Sequence, residues 1–477
     1  MKEKELIQTG YTTKSIRELA LQSFNKAIKD GMSKKEAKRM LRVIIRNPGT
    51  FVNNSLWGEL ARSVYQSMPE FQQTVISHTK ELFSDDFSKP TKAPFKIWGT
   101  EIDEESIQQI RNACSLPVSV RGALMPDAHV GYGLPIGGVL ATDNAVIPFA
   151  VGVDIACRVK LSVFELHPKI IDEEPTRLKK AIEQETRFGV GSTFKPRRQH
   201  PVMDLDWNIS PVTREHKDKA WDQLGTSGSG NHFVEFGILE VITDELPLAK
   251  GKYLALLTHS GSRGTGSLVC EYYSKIARQR HPELPKQFQH LAWLSLDSHT
   301  GQEYWEAMQL MGKYAQANHE CIHTHISKNL GVPILWSVEN HHNFAWKEIH
   351  DGREVIVHRK GATPAEQGQL GIIPGSMASP AYIVRGLGNE DSLRSAAHGA
   401  GRVMSRAQAK KTLSWKKVES LLKERRITVL TAGVDEIPLV YKNIDKVMEE
   451  QSDLVVPVAV FYPRIVKMAP AGEKPED

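Results

Sequence analysis

Residues 130–163, VGYGLPIGGVLATDNAVIPFAVGVDIACRVKLSV, decide the fold of this chain. Across residues 124–161, glycine-rich turns alternate with short runs of β-branched and apolar residues, a pattern typical of short strands joined by tight turns. Glycine tolerates left-handed backbone and lets the backbone approach a ligand closely. This stretch therefore predicts a β-rich layer whose turns lie beside a ligand.

Later blocks repeat the same texture, in which a polar, glycine-flanked turn adjoins a short apolar segment. They are GTSGSGNHFVEFG, ALLTHSGSRGTG, SVENHHNFAW, HRKGATPA, IIPGSMASPAY and SAAHGAGRVMSR. Between some of these blocks the apolar residues take helical spacing, notably over residues 302–330 and 415–425. We therefore predict an α+β fold, with a catalytic body of mixed or antiparallel sheets surrounded by helices.

The first part of the chain has a different, helical pattern that extends over residues 13–83. Its apolar residues recur at helical intervals before Pro48: Ile16, Leu19, Ala20, Phe24, Ala37, Met40, Leu41, Val43 and Ile44. Residues 88–94, SKPTKAP, are rich in proline and poor in apolar side chains, which indicates a boundary. We predict a helical amino-terminal extension over residues 1–93 and a catalytic domain over residues 94–477.

Composition excludes several classes of protein. The chain has 477 residues, of which 40% are hydrophobic and 25% charged, values of an ordinary globular protein and not of a disordered or fibrous one. Its net charge of +5 is compatible with a polyanionic ligand without requiring one. No apolar run approaches the ~18 residues needed to cross a bilayer, and the start MKEKELIQTG is charged. We expect a cytoplasmic protein without a membrane partner.

Cysteine and histidine placement points to a metal site. The four cysteines lie far apart without a CxxC pair, which argues against a disulfide framework or a zinc ribbon. A single histidine is more often a surface or core residue than a ligand, so the prediction depends on the whole set. Mixed O, S and N donors suit a first-row divalent ion such as Mn²⁺ or Zn²⁺, and five donors suffice for two ions if the thiolate bridges them. The candidate ligands are Asp154, Cys157, His232, His259 and His342.

The blocks resemble those of the RtcB family of RNA-splicing ligases. The resemblance runs in order over about residues 95–470, through MPDAHVGYG, VGVDIAC, FGVGST, LGTSGSGNHFVE, THSGSRG, NHHN, RKGA, IPGSM, HGAGR, DEIPLVYK and IVK. It implies a GTP-dependent ligase that joins RNA 3′-phosphate or 2′,3′-cyclic phosphate ends to 5′-hydroxyl ends, in RNA repair or tRNA splicing. It also implies that the five candidate ligands hold two Mn²⁺ ions with Cys157 as the bridge, and that GTP guanylylates His398.

The resemblance implies further site residues. The nucleotide-binding set is Asn231, Glu235, Asn343, Ser376, Gly399, Ala400, Gly401, Tyr441 and Lys467. Candidates for contact with RNA phosphates are Arg263, Arg359, Lys360 and Arg402, and Arg158 and Arg406 are further candidates. For each of them a solvated position on the surface is equally expected. A neutral imidazole is a competent nucleophile when a carboxylate orients its second ring nitrogen. The sequence does not identify that carboxylate, and it assigns no role to Asp127 or His129.

Three positions depart from the family pattern. Ala156 stands where a glycine commonly precedes the cysteine, and Arg158 follows the cysteine. Ala381 stands where a serine commonly contacts guanine, so strict preference for GTP is less secure than ligation. Two alternatives stay open: a metal-dependent phosphatase or phosphodiesterase acting on RNA ends, and a non-ligating RNA-binding relative. The sequence also leaves open the physiological RNA, the oligomeric state and any need for an activating protein.

Overall fold

The computed structural model describes residues 3–46, 48–52, 54, 56–68 and 91–473. They form two compact units. The first contains the amino-terminal helices together with Ser115–Pro117 and Arg278–Gln289, and the second contains the rest of residues 91–473. The predicted helical region runs to Phe83 and the predicted boundary begins at Ser88, and both of these residues lie outside the described residues.

The first unit is helical, as the spacing of apolar residues predicts. Its helices are α1 (Glu3–Thr9), α2 (Lys14–Lys29), α3 (Lys34–Arg46) and α4 (Gly58–Gln66). Ala20 and Phe24 of α2 are buried in one core with Leu41 and Ile44 of α3. Since the four helices bury their apolar faces against one another, the unit has a core of its own.

The second unit combines helices and sheets. Its helices are α5 (Glu104–Cys114), α6 (Pro148–Val151), α7 (Ile170–Glu173), α8 (Pro175–Glu185), α9 (Pro211–Glu215), α10 (Lys217–Gln223), α11 (Arg263–Arg280), α12 (His299–Leu330), α13 (Arg406–Thr412), α14 (Glu419–Glu424) and α15 (Ile444–Glu449). No described helix of either unit is both long enough and apolar enough to span a bilayer.

Its strands are β1 (Phe95–Ile97), β2 (Ser119–His129), β3 (Ile136–Thr142), β4 (Ala145–Val146), β5 (Arg158–Phe164), β6 (Phe233–Val241), β7 (Gly251–Ser260), β8 (Leu294–Ser295), β9 (Ile334–His341), β10 (Asn343–His350), β11 (Arg353–Lys360), β12 (Ala362–Pro364), β13 (Leu370–Pro374), β14 (Ala381–Gly386), β15 (Ser395–Ala397), β16 (Thr428–Thr431) and β17 (Val455–Met468).

Two large sheets organise the strands. The smaller has the order β1-β2-β3-β11-β10, in which only the β1–β2 pair is parallel. The larger has the order β13-β14-β17-β6-β7-β5-β9, with β16 parallel beside β17. Two-stranded ribbons pair β12 with β15 and β4 with β8. The predicted α+β class with mixed and antiparallel sheets is confirmed.

Helix α12 covers one face of the larger sheet. It begins where the Ser298 hydroxyl accepts a hydrogen bond from the Gly301 N–H and ends at Gly331, whose φ of 67° is left-handed. Its Ile322 and Ile326 share a core with Leu254 and Leu256 of β7, whereas the alternate residues of β7 join the core on the opposite face. The predicted helix over residues 302–330 is confirmed.

The other predicted helix of the body, over residues 415–425, is interrupted. Trp415–Lys417 form a single 3₁₀ turn, and α14 begins only after Val418. Val418 is buried beside Ala409, Ile437 and Val440. The chain therefore turns at Val418 to bury that side chain, and helical spacing alone could not show this.

Asn340 joins the two ends of the larger sheet. β9 and β13 are the terminal strands. The Asn340 Nδ2 donates to the Ile372 carbonyl at 3.3 Å, and its Oδ1 accepts from the Ile372 N–H at 2.9 Å. Nδ2 also donates to the Thr363 hydroxyl at 2.7 Å. The buried side-chain amide thus takes the place of a peptide group and closes the sheet.

We expect Asn340→Leu to destabilise the second unit by about 2–4 kcal/mol, because it keeps a similar volume but leaves the buried Ile372 N–H and carbonyl without partners. Urea unfolding followed by circular dichroism measures the loss. Ser337→Ala, on an exposed position of the same strand, should change stability by less than about 0.5 kcal/mol. Equal midpoints for Asn340→Leu and the wild type would contradict this role of Asn340.

Candidate functional site

A cavity of about 810 Å³ in the second unit collects most of the predicted site residues. Asp154 and Cys157 come just before β5, and His259 lies near the end of β7. His342 stands between β9 and β10, and His398 directly follows β15. Segments that are far apart in sequence thus end at one place, which the glycine-rich turns of the sequence predict.

The five candidate ligands form a continuous chain of donor atoms. Asp154 Oδ2 lies 3.1 Å from His232 Nε2, which lies 3.4 Å from Cys157 Sγ. On the other side, Cys157 Sγ lies 3.1 Å from His259 Nε2, which lies 3.2 Å from His342 Nε2. Two ligands on one tetrahedral ion with bonds of ~2.1 Å are separated by ~3.4 Å. The spacing therefore fits a divalent metal, and Cys157 is the central member of the chain.

Backbone carbonyls orient two of the histidines. The His232 Nδ1–H donates to the Ser227 carbonyl at 2.7 Å, and the His259 Nδ1–H donates to the Asn231 carbonyl at 3.2 Å. In each ring Nδ1 carries a proton, so Nε2 is the atom that faces Cys157 and that binds a metal when it is unprotonated. His341, next to His342 along the chain, instead packs its ring on Phe344 and Trp346.

Electrostatics keep the donors in metal-binding form. Burial alone would raise the pKa of Asp154, but hydrogen bonding and charge interaction with His232 lower it. Burial lowers the pKa of His259 to about 3 and that of His342 well below its ordinary value. An ionised carboxylate and neutral imidazoles are the states that coordinate a cation. The chemistry of the donors therefore agrees with their spacing.

His398 is held by a carboxylate. Its Nδ1–H donates to Asp127 Oδ2 at 2.7 Å, and the same oxygen accepts the backbone N–H groups of His398 at 3.2 Å and Gly399 at 3.3 Å. Asp127 is fully buried, whereas His398 lines the cavity. With the proton on Nδ1, the His398 Nε2 carries a free electron pair and can act as a nucleophile.

Two glycines permit the close packing around His398. A Cβ on Gly401, whose φ is +74°, would stand 2.0 Å from the Asp127 carbonyl oxygen. A Cβ on Gly361, whose φ is +59°, would stand 3.1 Å from His398 Cε1. The His398 ring also packs on His342, with ring centroids 4.8 Å apart. The nucleophile candidate thus adjoins one end of the donor chain.

Eight of the nine predicted nucleotide-binding residues line the cavity: Asn231, Glu235, Asn343, Ser376, Gly399, Ala400, Gly401 and Tyr441. Burial raises the pKa of Glu235 to about 8, so its carboxyl is mostly protonated at neutral pH and can donate a hydrogen bond. Ala381 also lines the cavity. Its departure from the family pattern therefore falls on a wall of the cavity.

Of the predicted nucleotide-binding residues, Lys467 lies outside the cavity and Asn343 already uses its amide within the protein. Lys467 does not line the cavity, because side chains alternate along β17 and those of Val466 and Met468 face it instead. The Lys467 ammonium lies 5.8 Å from the centre of the Phe188 ring. The Asn343 amide is already used: its Oδ1 accepts from Gly361 N–H at 2.8 Å, and its Nδ2 donates to the Asp154 carbonyl at 3.2 Å.

Two arginines predicted to contact RNA, Arg263 and Arg359, lie in the interior of the second unit. Arg359 is fully buried, and its guanidinium bonds both oxygens of Glu348 at 2.5 and 3.1 Å. Arg263 is 2% exposed, and its Nε donates to the Thr226 hydroxyl at 3.1 Å. Burial of an arginine depends on partners distant in sequence, so neither position could be recognised from its neighbours.

Three other cationic candidates line the cavity. The Lys360 ammonium donates to the Tyr132 carbonyl at 2.6 Å, and burial lowers its pKa to about 8. Arg402 lies over the Tyr441 ring at 5.4 Å and bonds the Asp435 carbonyl at 2.8 Å, while Arg406 pairs with Glu436. Arg158 does not line the cavity; it pairs with Glu339 at 3.0 Å.

Sequence reasoning missed two features of the site. It gave no role to Asp127, although the MPDAH block contained it. It also missed the exposed apolar side chains at the cavity, Val130, Tyr132 and Val403. Ala156 has a left-handed φ of 56°, a conformation that favours glycine. This explains why the family pattern commonly has a glycine at this position.

The chain is similar to known proteins over most of its length. Residues 109–206 and 203–468 match the family model described as tRNA-splicing ligase RtcB. The chain is 34% identical over 400 residues to the RNA-splicing ligase RtcB of Escherichia coli K12, covering 76% of this chain and 94% of that protein. It is 34% identical over 440 residues to the tRNA-splicing ligase RtcB of Nanoarchaeum equitans, covering 76% and 91%. It is 32% identical over 460 residues to the tRNA-splicing ligase RtcB of Aeropyrum pernix, covering 79% of this chain and 92% of that protein.

The lowered pKa of His259 predicts acid sensitivity of the metal-free protein. The unfolded chain protonates this ring near pH 6.5, whereas folded His259 stays neutral to about pH 3. Between these values the unfolded state binds more protons, so stability falls as the pH falls. Between pH 7 and pH 5, wild type in EDTA should lose about 2 kcal/mol more than His259→Gln.

Urea unfolding at each pH measures this difference. His167→Gln removes an exposed ring and should leave the wild-type pH dependence unchanged. The same loss in wild type and His259→Gln would show that His259 titrates normally in the folded chain.

Proposed function

Since the chain belongs to the RtcB family of RNA-splicing ligases, we propose that it is a GTP-dependent RNA ligase acting through a guanylylated His398. Its substrates are an RNA 3′-phosphate or 2′,3′-cyclic phosphate end and a 5′-hydroxyl end, in RNA repair or tRNA splicing. One observation carries this proposal: His398, oriented by Asp127 at 2.7 Å, lies in the same cavity as the donor chain centred on Cys157. We assign this chemistry to residues 94–477.

In the first step, the His398 Nε2 attacks the α-phosphorus of GTP. A nitrogen–phosphorus bond forms, the bond to the β-phosphate oxygen breaks, and pyrophosphate leaves. Attack gives the ring a positive charge, which the Asp127 carboxylate stabilises through the Nδ1–H it already accepts. Lys360 and Arg402 lie at the same cavity and offer positive charge to the triphosphate.

In the second step, an oxygen of the RNA 3′-phosphate attacks the phosphorus held on His398. The nitrogen–phosphorus bond breaks, His398 becomes neutral, and the RNA end carries GMP. In the third step, the 5′-hydroxyl oxygen of the other RNA end attacks the 3′-phosphorus and gives up its proton. The bond from that phosphorus to the GMP oxygen breaks, and GMP leaves with the proton. A cyclic phosphate is first hydrolysed to the 3′-phosphate.

Two Mn²⁺ ions complete the proposed site. Asp154 and His232 would hold one and His259 and His342 the other, with Cys157 as a ligand available to both. When bound, they supply positive charge to phosphate oxygens and lower the pKa of a bound hydroxyl. The donor distances of 3.1–3.4 Å support this assignment.

Guanine recognition is the weakest part of the family pattern in this chain. Ala381 has no hydroxyl, so hydrogen bonds to the base fall to other cavity residues such as Ser376 and Glu235. RNA contacts are assigned to Lys360, Arg402 and Arg406, because these three line the cavity and Arg263 and Arg359 do not.

Covalent labelling tests the proposal. Purified protein with MnCl₂ and GTP labelled at the α-phosphate should retain acid-labile label after denaturation, and His398→Gln should retain none. Asp127→Asn keeps the size of the side chain but removes its charge. It should slow labelling about 10- to 100-fold with little change in the GTP concentration for half-maximal rate.

Glu105→Gln is the matched control, because Glu105 lines the same cavity and is exposed; it should label like the wild type. ATP labelled at the α-phosphate measures base preference. Absence of label from any nucleotide, in folded and metal-loaded protein, would overturn the ligase mechanism and favour a metal-dependent phosphatase.

The shared thiolate predicts a distinctive metal stoichiometry. Wild type should bind two Mn²⁺ per chain, and Asp154→Ala and His342→Ala should each retain one. Cys157→Ala should weaken both sites, by at least about 100-fold in affinity, because it removes a ligand common to both. Titration with electron paramagnetic resonance of free Mn²⁺ gives the count.

Cys270→Ala removes another buried thiol that does not line the cavity and should keep both ions. If Cys157→Ala also kept two ions with wild-type affinity, the proposed bridge would be wrong.

A further inference from the structure

The positive charge of the chain is concentrated at its amino terminus. Residues 1–68 contain 13 of the 61 lysines and arginines and 6 of the 56 aspartates and glutamates. This segment therefore carries a net charge of +7, and the remaining residues carry −2. It also precedes the segments that match the RtcB family model, which begin at residue 109. The family's chemistry therefore does not explain why the charge is there.

Helix α3 presents part of this charge on one face. Its sequence is KKEAKRMLRVIIR. Lys35, Arg39 and Arg42 are four and three residues apart, which places them on one side of a helix, and all three are exposed. Ala37, Leu41 and Ile44 occupy the opposite side and are fully buried in the core of the first unit. The core therefore fixes which side of α3 faces solvent.

These three cations differ from other charged residues of the first unit in their ion pairing. Lys38 of α3 pairs with Glu5 at 3.1 Å and Arg17 of α2 pairs with Glu3 at 3.0 Å. By contrast, Lys35, Arg39 and Arg42 form no ion pair with any residue that the structure describes. Three neighbouring like charges repel one another, so the row is better explained by an external polyanion than by stability.

Two polyanions could occupy such a face, a nucleic acid and an anionic membrane. A helix that lies on a membrane exposes apolar side chains beside its cations. Met40, Leu41, Ile44 and Ile45 of α3 instead contact the core, and in the described part of this unit Ile7 of α1 is the exposed large apolar side chain. A cationic face on which α3 exposes no large apolar side chain fits a phosphate backbone.

We propose that the first unit is an RNA-binding module in which Lys35, Arg39 and Arg42 contact successive phosphates of the RNA to be joined. This inference rests on the proposed function for the identity of the polyanion. The contacts are with the backbone, so the module binds RNA without reading its sequence. It adds affinity to a catalytic unit whose own net charge is slightly negative.

The test uses the full chain and a fluorescent single-stranded RNA of roughly 20 nucleotides with a 3′-phosphate. Fluorescence anisotropy at several salt concentrations gives the affinity and its salt dependence. Lys35→Gln/Arg39→Gln/Arg42→Gln should weaken binding on the order of 10- to 100-fold near 0.1 M salt. The slope of log affinity against log salt should fall by about 2, because each single-strand phosphate contact contributes about 0.7.

The charge-conserving variant Lys35→Arg/Arg39→Lys/Arg42→Lys is the matched control. It should bind like the wild type, since backbone phosphate contact requires charge and not a particular side chain. Circular dichroism confirms that both variants keep the helices. Wild-type affinity and salt slope in the glutamine variant would overturn the inference, as would binding of wild type to phosphatidylserine vesicles but not to RNA.

Guanylylation separates this inference from the proposed function. The glutamine variant should label His398 at the wild-type rate, because labelling needs no RNA, while its KM for RNA ends in ligation rises. A wild type that labels and ligates, with a glutamine variant of unchanged KM, would refute the module alone. A wild type that fails to label but binds RNA through α3 would refute the ligase mechanism and keep the module.

Discussion

The position of β5 between β7 and β9 is the constraint on which the site depends. In the antiparallel register, Arg158 is opposite Ser260 of β7 and His341 of β9. The residues next to these pairs are Cys157, His259 and His342, so pairing brings three donors to one end of the sheet. The His342 N–H also donates to the Cys157 carbonyl at 3.0 Å. Strand pairing thus sets the spacing of the donors before any metal binds.

The same packing determines the protonation of the site. A buried histidine binds a metal only while the coordinating ring nitrogen is unprotonated, and burial at the sheet end gives His259 and His342 low pKa values. Asp154 differs because it accepts from the Ser262 N–H at 3.0 Å and lies near His232. Asp154, His259 and His342 are all buried, so the low pKa of Asp154 comes from its hydrogen-bond and charge partners and not from lesser burial.

The sequence predicts the features of this site that arise from neighbouring residues, and it does not predict contacts between residues distant along the chain. The donor residues and the long helix α12 were predicted, because glycine-flanked turns and helical spacing are local patterns. Asp127 is 271 residues from His398, and only the fold shows that they meet. The sequence did not predict two other features for the same reason: the buried pairing of Arg359 with Glu348 and the placement of Lys467 outside the cavity. Each depends on which face of a strand is covered.

The two units divide the physical problem of acting on a polyanion. At the cavity, Arg402 and Arg406 pair with Glu436, so part of their positive charge is neutralised. Charge interactions in solution fade beyond about 10 Å at 0.1 M salt, so a few cations inside a cavity attract RNA only at short range. In the proposed RNA-binding module, Lys35, Arg39 and Arg42 are exposed and have no ion-pair partner among the described residues. The net charge of +7 in residues 1–68 therefore supplements a cavity whose arginines are already paired with a carboxylate.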